Sequence, residues 1–264
     1  MILGWLVGCM TMDGFFFNAS RVDSYALAFE HVPEAQVELL SFDGSDGETL
    51  WGVWARQPQG TTPAPTVLYF HGNKDHLDEY VPKIDALWTL GFDVFSFDYR
   101  GFGRSTGTPS HDGVLQDSRD AIALVTGTSG LPSTEIAYVG LSLGGFAAVH
   151  MAGELPPRVL VTEDMFARVD LLVDDGAQLD LPAGWLAADA WDNTAAAARV
   201  AVPYLVVHGA EDTFIRPEHA RQVYAAAHEP KELWLVPGAD HAEAPDAAPG
   251  DYARRVGCWV RQDC

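Results

Sequence analysis

The sequence predicts an α/β fold, a mostly parallel sheet with helices on both faces, and three observations predict it. Strand-like runs at 66–70, 92–97, 136–139, 158–162, 202–208 and 231–236 alternate with stretches of helical character at 77–90, 112–125, 146–152, 217–227 and 252–260. That alternation implies parallel strands joined by crossover helices. Several runs, such as Thr66-Val67-Leu68-Tyr69-Phe70, are apolar throughout, as strands buried on both faces are. Finally, the polar clusters Gly72-Asn73, Asp98, Ser142, Asp212 and His241 each follow a strand. Ligands on open α/β sheets bind beyond the carboxyl ends of the strands, so these clusters predict one shared site.

In chain order, residues 37–42 and 49–55 flank Asp43-Gly44-Ser45-Asp46-Gly47, two extended runs around a turn that read as an antiparallel hairpin. Residues 58–65 form a proline-rich loop. The helical stretch 77–90 ends against Gly91, a suitable helix stop, and 217–227 opens on Pro217, where proline costs no helical hydrogen bond. The organising stretch is Ile136-Ala137-Tyr138-Val139, then Gly140-Leu141-Ser142-Leu143-Gly144, then a helix from Phe146. That is strand, sharp turn and helix with a serine at the tip. Gly140 and Gly144 let the helix pass close to the strand while the strained turn lifts the hydroxyl clear of the sheet.

The size, 264 residues with 48% hydrophobic content, suits one α/β domain with a large core. The formal net charge of −21 argues against binding nucleic acid or an anionic membrane surface by charge. Of the three cysteines, Cys9, Cys258 and Cys264, none has zinc-like spacing with histidine, and no metal or cofactor is expected.

Serine, acid and histidine in that chain order, with the serine in a Gly-x-Ser-x-Gly elbow, resemble the α/β-hydrolase family. The resemblance spans about residues 35–262. It rests on His71-Gly72-Asn73, Asp98-Tyr99-Arg100-Gly101-Phe102-Gly103, the elbow, and His208-Gly209-Ala210-Glu211-Asp212 with Gly238-Ala239-Asp240-His241. It is most similar to short-capped serine hydrolases of the dienelactone-hydrolase and prolyl-oligopeptidase-like branch. The resemblance implies that Ser142 is the nucleophile, His241 the base and Asp212 its orienting acid, with an oxyanion hole from the backbone N–H groups of Asn73 and Leu143. The family's spacing selects Asp212 over its neighbour Glu211, and Asp240 reads as a loop cap. His71, His208, Asp98 and Arg100 read as structural. A serine at the elbow excludes relatives that use a carboxylate nucleophile. One departure is Lys74-Asp75-His76 after His-Gly-Asn, where relatives often carry small residues.

Residues 1–34 read as an N-terminal segment, in which Gly14-Phe15-Phe16-Phe17 looks like a hydrophobic plug packing onto the domain after a short tether, and 35–264 as the hydrolase domain, with a small cap at about 163–200. In the cap, Trp185 and Trp191 are expected to pack rather than line an acyl pocket. Leu6-Val7-Gly8-Cys9, after an apolar start, resembles the lipobox of bacterial lipoproteins, which implies export and a lipid anchor at Cys9; without that, the chain is cytoplasmic. The apolar start is shorter than the roughly 20 residues a membrane span needs. Cys258 and Cys264, six residues apart, are either a disulfide, which persists outside the cytosol, or two reduced thiols. The expected activity is serine-dependent cleavage of small carboxylic esters through an acyl-enzyme. The alternatives are a peptidase or thioesterase of the same fold, or a catalytically silent scaffold.

Overall fold

The computed structural model describes residues 17–60, 63–174 and 191–264. Its sheet contains eight strands: β1 (Val37–Asp43), β2 (Thr49–Ala55), β3 (Thr66–Phe70), β4 (Asp93–Asp98), β5 (Ile136–Leu141), β6 (Val159–Glu163), β7 (Tyr204–Gly209) and β8 (Lys231–Val236). They lie in the order β1-β2-β4-β3-β5-β6-β7-β8. The hairpin β1–β2 and the pair β2–β4 are antiparallel, and every later pairing is parallel. This is the α/β-hydrolase fold that the sequence predicts.

Each face of the sheet has its own apolar core. Along β3, Leu68 and Phe70 belong to one cluster and Val67 and Tyr69 to the other, because successive strand side chains point to opposite faces. Helices α1 (Leu77–Thr89) and α8 (Pro249–Arg261) cover one face through Leu77, Ile84, Val256 and Val260. Helices α2 (His111–Ser129) and α3 (Leu143–Glu154) cover the other through Val114, Ile122, Phe146 and Val149. Helix α2 begins where the Ser110 hydroxyl accepts from Gly113 N at 3.0 Å, and it stops at Gly130, whose φ of 72° is costly for any other residue.

Among the described residues, two short helices, α4 (Val169–Asp174) and α5 (Asn193–Ala197), stand between β6 and β7. Trp191 is buried and packs its ring 4.5 Å from that of Phe146, so it belongs to the core. Trp185 and Cys9 lie outside the described residues. Helix α6 (Pro217–Ala226) follows β7, and α7 (Ala244–Ala247) precedes α8. At the end of α8, Cys258 and Cys264 form a disulfide with their Cα atoms 5.0 Å apart. Among the described residues, no helix is long and apolar enough to cross a membrane.

Candidate active site

Strand β5 delivers the chain to Ser142, which sits at φ 53° and ψ −112° immediately before α3. A non-glycine residue held there is strained, and strain of this kind persists only where the surroundings enforce it. Two glycines let them do so. A Cβ on Gly144 would fall on the Phe70 carbonyl at the end of β3, and one on Gly140 would fall on the Gly144 carbonyl. The turn is pinned from β6, where the Glu163 carbonyl accepts from Ser142 N at 2.8 Å. Leu143 opens α3, so its N–H lies in the first turn, where a helix offers no internal acceptor.

The loops after β3, β7 and β8 bring the other named residues to the same rim. Ser142, Leu143, Asn73 and His241 line one cleft of about 870 Å³. Asp212 stands behind His241, 4% exposed, with its Oδ2 2.8 Å from His241 Nδ1. The other carboxylate oxygen accepts from Phe214 N at 2.9 Å and Ile215 N at 2.7 Å, so the carboxylate cannot rotate away. Burial works against its charge, but hydrogen bonds from His208 and His241, together with the Ile215 N–H, outweigh it and hold the carboxyl well below the usual range. An ionised Asp212 needs a proton on His241 Nδ1, which leaves Nε2 as the basic nitrogen.

The rival residues are occupied elsewhere. Glu211 is exposed. Asp240 accepts from Thr213 N at 2.9 Å and His241 N at 2.8 Å, so it caps the histidine loop. His208 is fully buried and supports the acid rather than acting as the base: its Nε2 donates to the Ile215 carbonyl at 2.7 Å and lies 3.3 Å from Asp212 Oδ2. His71 is sealed in the core, its ring 4.8 Å from that of Tyr80. Arg100 clamps Asp117 at 2.7 Å and Asp46 at 2.7 Å, and Asp98 accepts from the Tyr25 hydroxyl at 2.5 Å. In the departure from the family pattern, Lys74 reaches the cleft and pairs with Glu79, and His76 caps α1. Asp75, at φ 51°, accepts from the Ser20 hydroxyl at 2.7 Å.

Sequence reasoning missed Asp164. It follows β6 at φ 49°, and its two oxygens accept from Gly209 N at 2.7 Å and Ala242 N at 2.8 Å. One buried carboxylate therefore ties the acid loop to the histidine loop. The readable signal was the pair Glu163-Asp164 closing the strand that begins Val159-Leu160-Val161. Asp164, Asp212 and His241 bring ligand-type atoms within 4.8 Å of one another. Their carboxylate oxygens already accept N–H groups, the arrangement of a hydrogen-bonded relay. The cleft's apolar residues Phe166, Leu172 and Phe214 were missed as well, as was the place of Phe17 among them; they come from the N-terminal segment, the β6–β7 connection including α4, and the loop after β7, with no shared pattern.

Beneath the elbow, Glu163 is buried with one oxygen bonded to the Tyr252 hydroxyl. Burial pushes its carboxyl from 4.5 up to about 7, against the opposing pull of the Lys83 charge and the tyrosine bond. The folded state therefore keeps a proton that the unfolded chain releases. Stability is expected to fall as pH rises from about 4.5 to about 7 and to level off above that, by roughly 3 kcal/mol from this residue. Thermal melts of Glu163→Gln should match wild type near pH 4 and exceed it at pH 8; a Tm difference independent of pH would contradict this.

Comparison with known proteins agrees with this architecture. The family model described as serine aminopeptidase, S33, matches residues 61–162, a span that includes the elbow and stops before Asp212 and His241. YfhR of Escherichia coli K12 is 30% identical over 90% of this chain and 88% of its own length. Rv2307c of Mycobacterium tuberculosis H37Rv is 35% identical over 74% of this chain and 69% of its own. Among solved structures, the Pyrococcus furiosus esterase Pf2001 superposes with a TM-score of 0.74 at 21% identity, covering 93% of this chain and 98% of that one.

Proposed function

This chain belongs to the α/β-hydrolase family, and from that premise we propose that it cleaves carboxylic esters through an acyl-enzyme formed on Ser142. The observation that carries the reading is the relay at the cleft. A buried Asp212 carboxylate, pinned through one oxygen by two backbone N–H groups, presents the other to His241 Nδ1 at 2.8 Å, and Ser142 opens onto the same cleft as His241.

In this mechanism Ser142 Oγ attacks the ester carbonyl carbon as His241 Nε2 takes its proton. The carbonyl oxygen becomes an oxyanion and is held by the N–H groups of Leu143 and Asn73, each such donor contributing about 3–4 kcal/mol to the transition state. His241 gives its proton to the departing alkoxide, the alcohol leaves, and an acyl-serine remains. Water then repeats the sequence, its proton going to His241 and from there to Ser142 Oγ as the acid is released. Asp212 stays ionised throughout and stabilises the imidazolium.

The name of the matched family favours a second reading, amide cleavage at a peptide amino terminus. Assaying p-nitrophenyl butyrate beside amino-acid p-nitroanilides separates the two. The ester reading expects kcat/KM for the ester to exceed that for every anilide; anilide turnover alone would replace it with the peptidase reading, and no turnover of either would leave a silent scaffold.

A further inference from the structure

Resting on the esterase reading, we propose that the segment ahead of the first strand, residues 17–25, is part of the substrate site and that Phe17 is the wall that sets which acyl lengths the cleft accepts. Phe17 lines the cleft together with Leu143 and Phe166. It packs on the aromatic floor of the larger core, its ring centroid 6.3 Å from Phe102 and 6.2 Å from Trp191. Phe166 rests on the same Trp191 at 6.2 Å. Phe17 and Phe166 therefore share one apolar base beside the nucleophile, while Lys74, Glu79, Lys83 and Asp246 supply the charged lining. An acyl chain attached to Ser142 is apolar, and the apolar lining is where it gains by leaving water.

A wall must also stay in place, and this segment is stitched to the two loops at the carboxyl ends of β3 and β4. Asn18 N donates to Asn73 Oδ1 at 3.0 Å, and Asp75 N donates to the Asn18 carbonyl at 3.0 Å. Ser20 N reaches the Asp75 carbonyl at 3.1 Å, and Gly103 N reaches the Ser20 carbonyl at 2.7 Å. Arg21 Nη1 donates to the Ser105 carbonyl at 2.7 Å, and the Tyr25 hydroxyl closes the run on Asp98. The residue next to Phe17 is thus bonded to the side chain of the residue proposed as an oxyanion donor. The ring is held by backbone pairing on the loops after β3 and β4 as well as by its own packing.

The test is the acyl-length profile of p-nitrophenyl esters from acetate to decanoate, measured as kcat/KM for wild type, Phe17→Ala and Phe17→Trp. Truncation is expected to raise the octanoate-to-butyrate ratio about tenfold, and enlargement to lower it by a similar factor, since a change of a few carbons in an apolar pocket discriminates at that scale. A purely structural role would lower all esters together and leave the ratio fixed. If the alanine variant fails to fold, the tryptophan variant decides alone. An active wild type with an unshifted ratio in the folded variants overturns this inference and leaves the esterase reading standing. A wild type inert to every ester overturns both.

Discussion

Replacing Ser142 or His241 with alanine is expected to lower kcat for an ester by about 10⁶-fold each, with the double variant no slower than either single one. The non-additivity follows from the chemistry. Ser142 Oγ is a poor nucleophile until His241 takes its proton, and His241 has nothing to activate once the hydroxyl is gone. Neither change should unfold the chain. The strained turn is enforced by Gly140, Gly144 and the Glu163 carbonyl, and His241 is partly solvent-exposed, with 23% of its side chain accessible. Kinetics of the two single variants and the double, with circular dichroism on each, check this. Two losses that multiply would mean that the residues act independently, and the relay would be lost.

Asp212→Asn is expected to cost about 10⁴-fold in kcat with KM little changed. Two N–H groups, from Phe214 and Ile215, point at one oxygen of residue 212. Asparagine must satisfy them with its only carbonyl oxygen, which turns its NH₂ toward His241 Nδ1. That nitrogen must then accept, the proton moves to Nε2, and the base faces Ser142 in the wrong tautomer. Stability should change too. A carboxyl held below its usual pKa stabilises the fold fully above about pH 4, and that stability is lost as pH falls through the folded value. The variant should therefore be less stable than wild type at neutral pH, with the gap closing in acid. A variant that keeps wild-type kcat would remove Asp212 from the mechanism.

The parts of this molecule that were legible in advance are those whose physics is local. The elbow was readable because close strand–helix approach demands glycine two residues either side of the serine, and Gly140 and Gly144 stand there. The hairpin was readable because Gly44 and Gly47 turn the chain, with Gly44 N bonded to the Glu48 carbonyl at 2.7 Å. The strand order was not. β4 lies between β2 and β3, and no periodicity in strands buried on both faces says which neighbour each will take. Asp212 and His241, 29 residues apart and 2.8 Å distant in space, were nameable only through the resemblance to a family. Asp164 escaped notice because it acts on segments more than 40 residues away, holding Gly209 and Ala242. Phe17 was readable as part of a plug that packs on the domain, but its place in the cleft was not, because Asn18 beside it pairs with Asn73 and Asp75 on a distant loop.

The central claim is that folding turns Ser142 into an activated nucleophile beside His241. Fluorophosphonate labelling followed by peptide mass spectrometry tests it most directly. The account predicts one adduct, on the peptide carrying Ser142, formed in step with the loss of esterase activity and absent from Ser142→Ala and His241→Ala. An unlabelled Ser142, or equal labelling of the wild type and the His241→Ala variant, would contradict it.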